Sequence, residues 1–72
     1  MDKKEFAIEF GKILKRLMKE KGLTQKNIAE RTGLKQEQIS TYITGKVIPS
    51  FYIFYKLSTA LECDMQDLIP KH

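Results

Sequence analysis

Apolar residues recur at spacings of three and four from the start of the chain. Phe6, Phe10, Ile13, Leu14 and Leu17 share one face of a 3.6-residue period, which predicts a helix over Glu5–Lys21. Lys12, Lys15, Arg16 and Lys19 occupy the rest of that helix, and Gly22 suits the left-handed position just past its end. Thr24 is an N-cap for a second, shorter helix with Ile28, Ala29 and Thr32 on one face. Asn27 stands where a capping box takes Glu or Gln, so the box reads as incomplete, and Gly33 stops the helix. A third helix runs from about Lys35 to Thr44, with Ile39, Tyr42 and Ile43 on its inner face, and ends at Gly45. Ser50 caps a fourth helix that reaches about Glu62. Asp64 caps a short fifth one from Met65 to about Ile69, ahead of Pro70. No stretch alternates with a period of two, and there is no repeat, linker or low-complexity run. The expected fold is all-α: five helices with short connections in one domain over residues 1–72.

Composition narrows what such a domain can be. The 72 residues include 13 Lys+Arg and 9 Asp+Glu, a net charge of +4. Size scaling gives roughly 4,600 Å² of folded surface against roughly 12,000 Å² unfolded, enough burial for one small core. At 42% apolar and 31% charged the chain is too apolar for disorder. It has no run near the ~18 apolar residues of a membrane span. Met1-Asp2-Lys3-Lys4-Glu5 does not open a signal peptide, and the sole cysteine, Cys63, fits a reducing cytoplasm. Cys63 reads as a small core residue, and the only histidine is His72, read as a solvated terminal residue. A histidine base is therefore nearly excluded. Asp64 and Asp67 read as cap and first-turn charges, and neither Glu5–Glu9 nor Glu30–Glu37 has a histidine nearby. No enzyme activity, metal, cofactor or small-molecule ligand is expected.

The span over about 24–45 carries the functional signal. Two short helices joined by a Gly-containing turn make a helix-turn-helix candidate, with Ala29 small enough for a close crossing. Glu37, Ser40, Thr41 and Thr44 cluster opposite the inner face of the third helix, with Gln36 and Gln38 beside them. That face has no Lys or Arg, whereas an ordinary solvated face carries Lys–Glu pairs at i, i+4. Short polar side chains suit base edges: Gln pairs with adenine, Glu accepts from cytosine, and Ser or Thr adapts. Phosphate-binding charge then falls to Lys26, Lys35 and Lys46 around the face.

Leu23-Thr24-Gln25-Lys26-Asn27-Ile28-Ala29-Glu30-Arg31-Thr32-Gly33-Leu34 resembles the first half of the lambda-repressor/Cro (Xre-type) helix-turn-helix. Gln36-Glu37-Gln38-Ile39-Ser40-Thr41-Tyr42-Ile43-Thr44-Gly45-Lys46, then Pro49-Ser50, resembles the second half, and the likeness extends over roughly Phe10 to Ile69. The resemblance implies double-stranded DNA as partner and the third helix as the recognition helix. It places Gln36, Glu37 and Thr41 at base contacts, with Ser40 beside them. It places Thr24, Gln25, Lys26, Lys35, Thr44 and Lys46 at phosphates, with Gln25 also bracing the first recognition-helix side chain.

Three departures stand out. Where the family often has an Arg and a Glu in a mostly buried ion pair, this chain has Met18 and Ile43, so neither change leaves a lone charge. The usual Ser or Thr cap of the recognition helix is Lys35. The fourth helix opens Phe51-Tyr52-Ile53-Phe54-Tyr55, where Phe51, Phe54, Leu57 and Leu61 can face the core but the others cannot all follow. The surplus points to a homodimer seam, placed at Phe51, Tyr52 and Tyr55 with Met65 and Ile69. The leading function is a sequence-specific transcription regulator, a repressor on a palindromic operator, with no sensor domain. The alternative is a protein-interaction module that keeps the fold with weak or no specific DNA binding, supported by the aromatic patch and the face without basic residues.

Overall fold

Asp2 opens the first helix. Its carboxylate accepts a hydrogen bond from the Glu5 amide at 2.8 Å, so α1 runs Lys3–Glu20, two residues earlier than the apolar period indicates. The computed structural model describes residues 1–71, and His72 lies outside the described residues. After α1 come α2 (Gln25–Thr32), α3 (Gln36–Ile43) and α4 (Phe51–Leu61), closed by a 3-10 turn at Met65–Leu68. The expected fifth α-helix is that single turn. Pro70 forces the residue before it out of helical geometry, and Ile69 is extended at φ −83°, ψ 123°. The few residues left after Asp64 cannot repay the cost of nucleating an α-helix.

The caps largely follow the sequence. The Thr24 hydroxyl accepts from the Asn27 amide at 3.1 Å. The Asn27 side chain in turn accepts from the Thr24 amide at 2.9 Å, so the capping box expected to be incomplete is complete. An Asn carboxamide presents the same carbonyl acceptor as Gln one methylene shorter, and here it reaches. Ser50 accepts from the Ile53 amide at 3.2 Å and starts α4. Lys35 makes no side-chain cap on α3. The end of α4 is unusual: Glu62 takes the left-handed conformation, φ 55°, alone among the described non-glycine residues. The paired bonds Glu62 N to Thr59 O (3.1 Å) and Cys63 N to Ser58 O (3.0 Å) close the helix around it.

Every element contributes to one apolar cluster. Phe10, Leu14, Leu17 and Met18 come from α1, Ile28 from α2, Ile39 and Tyr42 from α3, Phe54, Leu57, Ala60 and Leu61 from α4, and Leu68 from the final turn. α1 packs on α3 and the 3-10 turn, while α2 packs on α3 and α4. Phe54 fills the space against Phe10, ring centroids 4.8 Å apart, and Phe6 meets it edge-on at 6.4 Å. That leaves no room for Phe51, which is 79% exposed and not part of the core as its spacing suggested. Met18 is buried and Ile43 is half-buried against the same cluster. Among the described residues no helix is long and apolar enough to cross a membrane.

Candidate nucleic-acid interface

Three things fix how α3 presents itself. Ile39 and Tyr42 are buried beneath it, with the Tyr42 ring edge-on to Phe10 at 6.4 Å. Above Ile43 and Tyr42, Gly11 of α1 approaches so closely that a Cβ there would lie 2.5 Å from the Ile43 carbonyl oxygen. At its other end Gly33, φ 78°, turns the chain from α2 into the loop that precedes α3. The Thr32 hydroxyl donates to the Ile28 carbonyl at 2.7 Å and accepts from the Leu34 amide at 3.1 Å, holding that turn.

The helix then offers solvent a row of uncharged or acidic groups. Gln36, Glu37 and Thr44 are exposed, and Ser40 and Thr41 are half-buried. Thr41 donates its hydroxyl proton to the Gln38 carbonyl at 2.6 Å, and Thr44 donates to the Ser40 carbonyl at 2.8 Å. Gln38 is half-buried and gives an amide proton to the Tyr42 hydroxyl at 3.0 Å, a link that follows from their i, i+4 spacing. Cations flank this row. Lys26 on the first turn of α2, Lys35 at the start of α3 and Lys46 beyond its end are all exposed and make no ion pair among the described residues. The loop around Lys46 is rigidly set: Gly45 N bonds Tyr42 O at 3.1 Å and Lys46 N bonds Thr41 O at 3.0 Å.

The remaining expected residues divide. The Thr24 hydroxyl is an acceptor in its capping box, so its own proton is left to point outward. Gln25 is half-buried, and no hydrogen bond joins it to Gln36 among the described residues. Phe51, Tyr52, Tyr55 and Ile69 are exposed, whereas Met65 is half-buried and packs on the core. Arg31 has a role the sequence does not signal: its guanidinium donates to the Ala60 carbonyl at 2.8 Å and lies 3.6 Å from Glu62, tying α2 to the end of α4. Its partner sits 29 residues away, so no local pattern signalled it. Asp2 caps α1, and an Asp three residues before Glu5 is itself a cap signal in the sequence.

Known proteins resemble this chain in sequence and fold. A Helix-turn-helix family model matches residues 14–68. The chain is 35% identical over 55 residues to endothelial differentiation-related factor 1 of Rattus norvegicus, across 76% of this chain. It spans 37% of the length of that relative. An uncharacterized HTH-type transcriptional regulator of Sinorhizobium fredii is 35% identical over 54 residues, covering 75% of this chain and 70% of the relative. Among solved structures, the restriction-modification controller protein C.AhdI of Aeromonas hydrophila superposes with a TM-score of 0.84 at 30% identity, covering 88% of this chain and 96% of that one.

Proposed function

The chain belongs to the lambda-repressor/Cro-like (Xre-type) helix-turn-helix family of DNA-binding transcription regulators, and on that premise we propose that it represses transcription from a palindromic operator as a homodimer. One observation carries the DNA-binding part of the reading. α3 exposes a row of small uncharged side chains with one carboxylate, and lysines stand around that row rather than in it. Eight residues at ~1.5 Å each make a helix roughly 12 Å long, matched to a major groove ~12 Å wide. Gln36, Glu37, Ser40 and Thr41 then meet base edges, and Thr24, Gln25, Lys26, Lys35 and Lys46 meet phosphates. Thr44 belongs with the phosphate group as well, but its proton is held by Ser40. It must turn from that carbonyl to donate, at a cost of about 1 kcal/mol.

A single α3 reads only a few base pairs, so a second copy supplies the rest of the specificity. Phe51 at 79% and Tyr52 at 62% exposed are the best seam for it. Two recognition helices about a two-fold axis would sit ~34 Å apart, one turn of DNA. The same aromatic patch favours the second reading, a protein-interaction module that retains the fold. Selection of duplexes from a random pool separates the two. Two enriched half-sites one helical turn apart, bound with an affinity that falls steeply with salt, are expected of the regulator. Weak binding without sequence preference would leave the interaction module.

A further inference from the structure

The recognition row is unusual in which hydrogen-bonding groups it has left to offer. Glu37 and Thr41 are neighbours at i, i+4, and Thr44 follows at i+3 from Thr41. A carboxylate only accepts. The Thr41 and Thr44 hydroxyls each have one proton, and both protons are spent on backbone carbonyls, at 2.6 and 2.8 Å. Outward they present lone pairs and methyl groups. The amide and hydroxyl donors that remain, on Gln36 and Ser40, lie to one side of this row, and Gln38 on the other side already gives a proton to Tyr42. The centre of the face is thus acceptor-rich and methyl-bearing, with no side-chain donor of its own.

Bases differ in what they present to such a surface. In the major groove guanine shows only acceptors, N7 and O6, while cytosine shows an exocyclic amino donor, adenine an amino donor beside its N7, and thymine a methyl beside its O4. Resting on the DNA-binding reading above, we propose that Glu37 and Thr41 select bases by an exocyclic amino group, with a thymine methyl packing beside the Thr41 methyl. Guanine's N7 and O6 edge is not read there. Facing guanine would bring its acceptors against a carboxylate and a hydroxyl lone pair, or require Thr41 to break its bond to Gln38. The penalty is roughly three- to tenfold in affinity at that position.

The test is selection from random duplexes by the wild-type chain, followed by affinity measurements on the winning site. Each guanine of that site is replaced in turn by 7-deazaguanine, which removes the N7 acceptor and needs no protein variant. Selection is repeated with Thr41→Val, which keeps the methyl and loses the acceptor, and with Thr41→Arg, which adds donors. The expected results are 7-deazaguanine effects within about twofold at the position that Thr41→Val alters, that position relaxed toward thymine by Thr41→Val, and the same position moved to guanine by Thr41→Arg. A tenfold 7-deazaguanine loss at the position that Thr41→Val relaxes would overturn the proposal and leave DNA reading intact. A wild-type selection that enriches nothing would overturn both.

Discussion

Gly11→Ala isolates the contact that seats α3. Gly11 lies in the interior of α1, where alanine is intrinsically better by about 1 kcal/mol. On propensity alone the variant should be more stable. The geometry says otherwise. The added Cβ would stand 2.5 Å from the Ile43 carbonyl oxygen, 2.7 Å from that of Tyr42 and 3.0 Å from the Ile43 carbonyl carbon. All three are backbone atoms, so no rotamer change relieves them. Ordinary non-bonded contact begins near ~3.5 Å, so α1 and α3 must separate by about 1 Å. That separation loosens Tyr42 from Phe10 and lifts Ile39 in the same motion. A gap of about 0.5–1 Å forfeits a quarter to a half of each dispersion contact. Overpacking of this kind costs up to about 3 kcal/mol, and the propensity gain offsets about 1, for a net loss of about 2 kcal/mol. For a domain of this size the melting temperature should fall by roughly 8–16 °C. Thermal melts followed by circular dichroism measure it. A companion glycine sharpens the comparison: Gly33 has φ 78° and nothing within 4 Å of its notional Cβ. Asparagine, which tolerates the left-handed region, should therefore rescue Gly33→Ala at position 33 and fail at position 11. A Gly11→Ala chain that melts at or above the wild-type temperature would refute the close-approach argument outright.

Four further outcomes follow from the same structure. Lys35→Ser should add about 1 kcal/mol by capping α3, while lowering the salt slope of DNA binding by about one unit; melts and a salt titration read the two effects separately. Arg31→Met removes the 2.8 Å bond to the Ala60 carbonyl and should cost about 1–2 kcal/mol in urea denaturation. Glu62→Gly relieves the left-handed φ of 55° and should gain about 0.5–1 kcal/mol, and a loss instead would mean its 3.6 Å approach to Arg31 matters more than the backbone. Burial, and after it the nearby Asp67 carboxylate, push the Cys63 thiol above its ordinary value. The folded thiol therefore holds its proton more tightly than the unfolded one. Its small contribution to stability is complete below the unfolded thiol's pKa and is lost as the pH rises through the folded one. Alkylation of Cys63 at mildly alkaline pH should accordingly run slower in the folded chain than in the denatured one.

The parts of the fold legible in the sequence are those decided within a few residues. Thr24, Gly33, Gly45 and Ser50 mark helix ends because a cap or a left-handed residue acts on its own turn. The misreadings involve choices made elsewhere in the molecule. Phe51 and Phe54 both lie at spacings compatible with the core. Only the seat of Phe54 against Phe10 and Phe6 decides that Phe51 points to solvent. Glu62 carries no mark of its left-handed conformation because the chain turns there to reach the 3-10 segment, with Arg31 from α2 bonded beside it. Asp64 is a residue type that caps helices, so the sequence predicts an α-helix for the last turn. A cap lowers the cost of starting a helix and cannot lengthen a segment that Pro70 ends.

The candidate site divides in the same way. Its outward face follows from a 3.6-residue period, since burying Ile39 and Tyr42 leaves Glu37 and Thr44 no other direction. What the period cannot reveal is the state of the hydroxyls. Counted as residue types, two threonines offer two donors and can address any base. Counted as groups in a helix, both have given their protons to carbonyls one turn back, and the Gln38 amide has turned toward Tyr42. Residue type sets which hydrogen bonds are available, and the backbone removes some before a ligand arrives. A recognition surface read from composition alone is therefore too permissive. At Thr41 and Thr44 the excess permission falls on the donors, which are the groups a guanine facing them would need.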